Sequence, residues 1–374
     1  MKKINIVGVV LLTSTIFAGC LSDGIGGKFS TPKTEEEIIQ EKLEVRSDKK
    51  PLKLGIVTDV HAYGKEVEGQ WEINWRSKDA MERFVEKMNN EFKPSAVVEI
   101  GDLVDGKDDN SLEDWKIMDG MMQKLKMPYF NTTGNHEMRS FNKSVWLELS
   151  SNEKTYYYKD VNGYRLIILD GNHFSDGQDT TPEKEHYPGN LGDEQWQWLE
   201  EILKNAVMED KDPIVFLHQP PVETDARPNW QLFSKGKELH ALFDKYKVRA
   251  VFSGHVERLC DIKIESEYTE YFVLQGMWKG NGGLKKEYRF KDAGNFYYVT
   301  IIPENIEVKM EYRVFNEKSA SGKRQGSSER INRWDNLILN REEYTCQDRR
   351  QLMEDNTSGL SEEEVTKIKA LYKK

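Results

Sequence analysis

The residues best equipped for chemistry in this chain stand in five short groups. They are Asp59-Val60-His61, Gly101-Asp102-Leu103-Val104-Asp105-Gly106, Gly134-Asn135-His136-Glu137, His218, and Gly254-His255-Val256-Glu257. Four of the seven histidines belong to them. Carboxylate, imidazole and amide oxygen are borderline-to-hard donors, and without a thiolate they suit zinc, manganese or iron. Two cations about 3.5–4 Å apart need a shared carboxylate, and such a pair clamps the attacking and leaving oxygens of an in-line displacement. Asp102 is the natural bridge, because the preceding Gly101 lets the backbone approach closely.

Each group alone is a weak signal, and its position in the chain is what gives it weight. Six apolar runs, 52–58, 96–100, 128–132, 165–169, 213–217 and 249–253, are rich in Val, Ile and Leu without clear alternation. That pattern suits strands buried on both faces. Between them lie helical patterns. Residues 77–92 put Met81, Phe84, Val85 and Met88 on one face, and residues 111–126 do so with Trp115, Met118, Met122 and Leu125. Residues 193–208 and 236–246 repeat the design with Leu199, Leu203 and Val207, and with Leu239, Leu242, Phe243 and Tyr246. This is an α/β plan. Five of the six runs end directly in the groups above, and in an open α/β sheet the carboxyl ends of the strands face the ligand crevice. His61, His136, His218 and His255 therefore converge on one region. His240 falls mid-helix, as a surface or core residue. His173 and His186 lie in a long loop and are expected to face solvent rather than the crevice. After residue 264 the pattern turns to successive strands at 270–275, 295–302 and 306–315, which predicts a second, partly antiparallel sheet packed against the first.

Composition sets the outer limits. The chain has 374 residues, 54 basic and 64 acidic, for a net charge of -10. With no basic block it is poorly suited to gripping a nucleic-acid backbone. Fifteen Phe, sixteen Tyr and nine Trp supply a real core and exclude wholesale disorder. Three cysteines exclude a disulfide scaffold and an all-cysteine zinc site, while leaving open a bridge between Cys260 and Cys346. Residues 1–20 read as a signal peptide: Lys2 and Lys3, an apolar stretch over 4–17, then Ala18-Gly19. With Cys20 next, this resembles the lipobox of bacterial lipoproteins, although Phe17 departs from the usual Leu. The resemblance implies export and a lipid on Cys20 that anchors the chain to a bacterial membrane, periplasmic or cell-surface; the alternative is an ordinary cleaved secretory peptide. Residues 21–50 read as a flexible tether with a short charged helix, signalled by the capping box of Thr34 and Glu37. Residues 51–315 form the main domain, and 316–374 a polar extension, loose over 316–335, with a terminal helix at 362–373.

The set Asp59-x-His61, Gly101-Asp102-x-x-Asp105-x-Lys107, Gly134-Asn135-His136-Glu137, His218 and Gly254-His255 resembles the calcineurin-like metallophosphoesterase superfamily. Its motifs run in order over roughly 52–257. The resemblance implies a four-layer α-β-β-α sandwich of two mixed sheets and hydrolysis of a phosphorylated small molecule, a phosphodiester or phosphomonoester. Asp59 and His61 would hold a first cation, Asp102 would bridge, and Asn135, His218 and His255 would hold a second. His136 would stand beside the leaving oxygen as a general acid or charge stabiliser, with Asp105 hydrogen-bonded to its ring. The nucleophile would be a hydroxide bridging the two divalent metal ions.

One position departs from the family. The last motif usually reads Gly-His-x-His, and here it ends in Glu257. As a ligand, Glu257 makes the first site richer in oxygen and tilts it toward manganese, iron or magnesium rather than zinc. The other readings are a weakened first site or a solvent-facing glutamate. Trp71, Trp75, Trp230, Trp278 and Tyr187 in the long loops are candidates to stack on a nucleobase or sugar, or to pack those loops down. Arg76, Arg227 and Lys279 are candidate phosphate contacts. Rival readings are a pyrophosphatase acting on nucleotide-diphosphate or lipid-linked substrates, and a catalytically weak binding protein on the same frame. Nothing in the sequence specifies an oligomeric state.

Overall fold

The computed structural model describes residues 32–45, 47, 49–64, 77–106, 110–184, 189–222, 233, 235–256, 262–277, 295–314 and 328–333. Two six-stranded mixed sheets pack face to face. In the first, β1 (Leu52–Val57), β2 (Ala96–Glu99) and β3 (Tyr129–Asn131) run parallel, with Ile56 opposite Val98 and Glu99 opposite Asn131. The second holds β4 (Tyr157–Val161), β5 (Tyr164–Leu169), β6 (Asp212–Leu217), β7 (Ala250–Ser253), β8 (Ile262–Glu265) and β9 (Glu270–Val273). There β5, β6, β7 and β9 are parallel, and β4 and β8 are antiparallel edges.

The late strands correct one expectation. β10 (Phe296–Ile302) and β11 (Asn305–Val314) do not build the second sheet. They return to the first, where β10 pairs antiparallel with β1 and β11 with β10, so that, with β12 (Ser328–Arg333) outermost, the sheet order is β12-β11-β10-β1-β2-β3. The division between sheets falls in mid-chain, between β3 and β4. This last strand, β12, pairs antiparallel with β11 inside a stretch expected to be loose, because the outer edge of β11 offers free backbone donors and acceptors.

Three apolar layers result. Leu52, Leu54 and Ile56 of β1 meet Leu166 and Ile168 of β5, Phe216 of β6 and Phe252 of β7 in the core between the sheets. Outside the first sheet, α2 (Ser77–Lys87), its π-helical continuation Met88–Phe92 and α3 (Ser111–Met122) bury Met81, Phe84, Met88, Trp115 and Met118. Outside the second, α6 (Asp193–Met208) and α7 (Gly236–Lys245) bury Leu199, Leu203, Leu239 and Phe243. The short helices α4 (Asn135–Ser140) and α5 (Lys143–Ser150) follow β3. The architecture is the α-β-β-α sandwich.

The tether also needs correction. Within it, α1 (Glu35–Glu44) starts at the expected Thr34–Glu37 capping box and docks on α6, burying Ile39 and Leu43. The Lys42 ammonium donates to the Met208 carbonyl, Lys204 pairs with Glu35, and Lys49 pairs with Asp210. Two apolar residues one helical turn apart suffice because the α6 surface supplies the rest of the contact. The signal peptide, Cys20, Cys260, Cys346, His186, the terminal helix and the loop residues Trp71, Trp75, Arg76, Tyr187, Arg227, Trp230, Trp278 and Lys279 lie outside the described residues. Among the described residues, no helix is long and apolar enough to cross a membrane.

Candidate metal centre

The parallel strands of both sheets deliver their carboxyl ends to one edge of the sandwich. Asp59 and His61 follow β1, Asp102 and Asp105 follow β2, Asn135 and His136 open α4 after β3, His218 follows β6 and His255 follows β7. All but His136 are buried, and its side chain is 12% exposed against 0% for those of His61 and His218.

The loops after β1 and β2 are laced together by their backbones. The N–H groups of Asp59, His61 and Ala62 donate to the carbonyls of Gly101, Asp102 and Leu103, and Asp105 N–H returns to Ala62. Among the described residues nine non-glycine positions have positive φ, and four of them are Asp59 (50°), His61 (45°), Asp102 (57°) and His255 (68°). Left-handed backbone costs about 1–3 kcal/mol at such residues and persists only where the surroundings over-determine it. Here it turns four donor side chains inward. Close approach also explains two glycines. Gly101 has φ +80°, and a Cβ there would meet the Gly134 nitrogen at 2.8 Å; a Cβ on Gly134 would collide with the Asp102 carboxylate and amide.

Asp102 is the hub. Its Oδ1 accepts from His136 N–H at 2.8 Å. Its Oδ2 faces three rings: His218 Nε2 at 3.1 Å, His61 Nε2 at 3.6 Å and His136 Nε2 at 3.9 Å. Burial alone would raise this carboxyl, but His218, His136 and His61 outweigh it and hold the group well below the usual carboxylate range. In turn, burial pulls the His218 ring down while the Asp102 and Asp59 carboxylates push it up to about 9. His218 Nδ1 lies 2.7 Å from the Ile100 carbonyl. A carbonyl only accepts, so Nδ1 carries the proton and Nε2 turns to the centre. His136 is held likewise, Nδ1 donating to a carbonyl at 2.6 Å. That carbonyl belongs to Asp105, which refines the expected contact: the Asp105 carboxylate itself is nearer to His61 Nδ1, at 3.2 Å, than to His136 Nδ1, at 3.7 Å. His255 is placed by its backbone N–H, 3.1 Å from both oxygens of Asp59.

The donor set fits divalent cations. His61, Asp102 and His136 each offer a ligand atom within 4.8 Å of one another, and so do Asp102, His218 and His255, with Asp102 common to both groups. Asn135 Oδ1 is buried and has no hydrogen-bond partner among the described residues, as expected of an amide oxygen reserved for a cation. Glu257 and Lys107 lie outside the described residues.

Beneath the donors sit groups that motif reading passed over. Glu137 Oε2 accepts from Asp102 N–H at 2.9 Å and Gly134 N–H at 2.8 Å, and Oε1 from Val104 N–H at 3.1 Å, so one carboxylate fixes the turns after β2 and β3. Burial and the Asp102 charge raise it to about 7, against the pull of those amides. Glu99 is buried; burial first, then Glu137, Asp102 and Asp59, raise its carboxyl well above the usual range, against the pull of the Gly101 amide. His173 is buried rather than solvated, with Nε2 3.0 Å from Lys143 Nζ and 3.2 Å from Asp179. Its loop follows β5 in the pattern of the other five strand ends. The run 165–169 passes directly into Asp170-Gly171-Asn172, a signal that was available in the sequence.

Comparison with known proteins agrees with this geometry. The chain is 29% identical over 175 residues to a "Probable glycerophosphodiester phosphodiesterase GpdQ" of Arcobacter nitrofigilis, covering 45% of this chain and 58% of that protein. It is 24% identical over 224 residues to the human "Manganese-dependent ADP-ribose/CDP-alcohol diphosphatase", covering 46% and 65%. The chain thus spans less than two thirds of either relative. Among solved structures, a dimetal phosphatase from Danio rerio superposes with a TM-score of 0.55 at 15% identity, over 76% of this chain and 99% of that one, which is a likeness of fold. The profile of the calcineurin-like phosphoesterases matches residues 52–257, the span that carries all five groups of donors. The chain belongs to the calcineurin-like phosphoesterase family.

Proposed function

We propose that this protein is a metal-dependent hydrolase of phosphate esters whose centre would hold two divalent cations, with Asp102 as their common ligand. The observation that carries the reading is the pair of three-residue donor groups sharing that carboxylate. Asp59, whose Oδ1 lies 3.8 Å from His61 Nε2, would hold one cation with His61 and Asp102, and Asp102, Asn135, His218 and His255 would hold the other. Glu257 would be a further ligand of the first, favouring manganese or iron, and His136, which shares the first donor group, would be left for the leaving oxygen. When bound, the cations supply Lewis-acid polarisation of the phosphoryl oxygens and activation of water. The chain's own residues do the rest. The Ile100 carbonyl fixes the His218 tautomer. Asp105 orients two rings, His61 through its carboxylate and His136 through its carbonyl. His136, the most exposed of these rings, presents Nε2 to the crevice and donates a proton to the leaving oxygen. Buried walls exclude water from the inner donors and strengthen their fields.

A phosphodiester substrate is supported by the bacterial relative named as a phosphodiesterase, and a nucleotide-diphosphate substrate by the human relative named as a manganese-dependent diphosphatase. The sequence of residues 1–20 supports export and a lipid anchor on Cys20. The test is metal-stripped protein assayed on bis-p-nitrophenyl phosphate, p-nitrophenyl phosphate and ADP-ribose, with manganese, iron, zinc or magnesium restored. Metal-restored turnover is expected, and the ratio of rates sorts the substrate class. A folded protein inert with every metal would contradict the reading.

A further inference from the structure

The second cation position draws on both sheets: Asp102 and Asn135 come from the first, His218 and His255 from the second. Its geometry therefore depends on how the sheets are held at this edge, and a buried polar chain runs across the seam. Asp170, at the end of β5 in the second sheet, accepts on Oδ1 from the Thr133 hydroxyl of the first sheet at 2.8 Å and from Asn172 N–H at 2.9 Å. The Asn172 amide donates back across the seam to the Thr133 carbonyl at 3.1 Å or its hydroxyl oxygen at 2.9 Å. On its other side, Asn172 Oδ1 accepts from Gln219 Nε2 at 2.9 Å, and Gln219 is the neighbour of His218. The chain Gln219–Asn172–Thr133 thus joins the turn that carries His218 to the turn that carries Asn135.

The chain is itself anchored. Asp170 is fully buried; its Oδ2 pairs with Lys143 at 2.7 Å, and its backbone N–H and carbonyl are both bonded by the Gln195 side chain, at 2.9 and 2.8 Å. Burial would raise this carboxyl, but Lys143 and His173 hold it well below the ordinary value, so it remains an ionised acceptor. Asn172, Thr133 and Gln219 are each at most 1% exposed. Four buried polar residues cost free energy to desolvate, and the seam could be filled by apolar side chains if cohesion were all that was needed.

We propose that Asp170 and Asn172 are positioning residues that set the spacing between Asn135 and His218 and so determine the affinity of the second cation position. This rests on the two-cation reading above. Removing a group bonded directly to a metal ligand weakens binding about 10–100-fold; the Asn172 bridge acts one step further out, through Thr133 and Gln219, so an effect of about tenfold is expected.

The test titrates manganese into metal-free full-length protein, with electron paramagnetic resonance counting bound and free ion. Wild-type protein is expected to take up two equivalents. Asn172→Leu keeps the side-chain size and removes the bridge; one equivalent should weaken about tenfold while the other holds. Thr133→Val should do the same with smaller risk to folding, and Thr133→Ser, which restores the hydroxyl, should recover the lost affinity. No change in either equivalent, or equal weakening of both, would overturn the proposal. Fewer than two equivalents in the wild type would instead overturn the two-cation reading beneath it.

Discussion

At the proposed first cation position the described ligands, Asp59, His61 and Asp102, come from loops of the first sheet, as does the adjacent His136. At the second, Asp102 and Asn135 meet His218 and His255 across the seam between sheets. The two are held by different physics. Backbone hydrogen bonds between adjacent loops and left-handed turns fix the described donors of the first, so their geometry is set locally. The second depends on sheet packing, on a ring bonded to a carbonyl of the opposite sheet, and on the Asp170–Asn172 chain. Packed sheets are stiff but not infinitely so, and the second position is the one that a distant change should loosen.

The comparison breaks most completely at the residue that both positions share. Asp102→Ala should abolish binding of both cations and lower turnover by more than about 10³-fold, beyond the effect of losing a single stabilising donor. Metal content and kcat measured together check it, and retention of either cation would remove Asp102 from the bridge. His136→Ala separates chemistry from binding: both equivalents should remain while kcat falls about 10²–10⁴-fold. Loss of a cation would place that ring on the metal. Glu137→Gln replaces an acceptor of three buried amides by a side chain that must turn a donor toward one of them. It should cost about 1–3 kcal/mol in denaturant unfolding, and weaken both cations because Asp102 itself shifts. Weakening confined to one position would show that Glu137 does not act through the bridge. The smallest effect belongs to α1, remote from both. Ile39→Ala should cost about 2 kcal/mol at most, since the helix sits at the periphery, and kcat/KM should be unchanged. A change in turnover would show that the α1–α6 contact reaches the site.

The sequence made the donors and their strands legible, because residues such as Asp59 and His218 directly follow unbroken apolar runs. Helix faces were equally plain where four large side chains share one stripe, as with Met81, Phe84, Val85 and Met88. What stayed hidden were relations that no local pattern encodes. β10 and β11 read correctly as successive strands, yet sheet membership depends on which edge is open, and the free edge was that of β1. α1 offered only Ile39 and Leu43, too little to declare docking without knowing the α6 surface. The place of Asp170-Gly171-Asn172 at a strand end was legible, but its burial was not, and His173 beside it reads as a solvated loop residue. Their burial follows from Lys143 and Thr133, separated in sequence but adjacent across the seam. Asp105 lies beside both His61 and His136, but which of its oxygens meets which ring is a matter of backbone geometry.

The central claim is that two cations flank Asp102. Crystals of the full-length protein soaked in manganese, with anomalous diffraction collected at the manganese edge, test it directly. Two peaks about 3.5–4 Å apart are expected, one against Asp59 and His61, the other against Asn135, His218 and His255, with the Asp102 carboxylate between them. A single peak, or a pair that leaves Asp102 to one side, would contradict it.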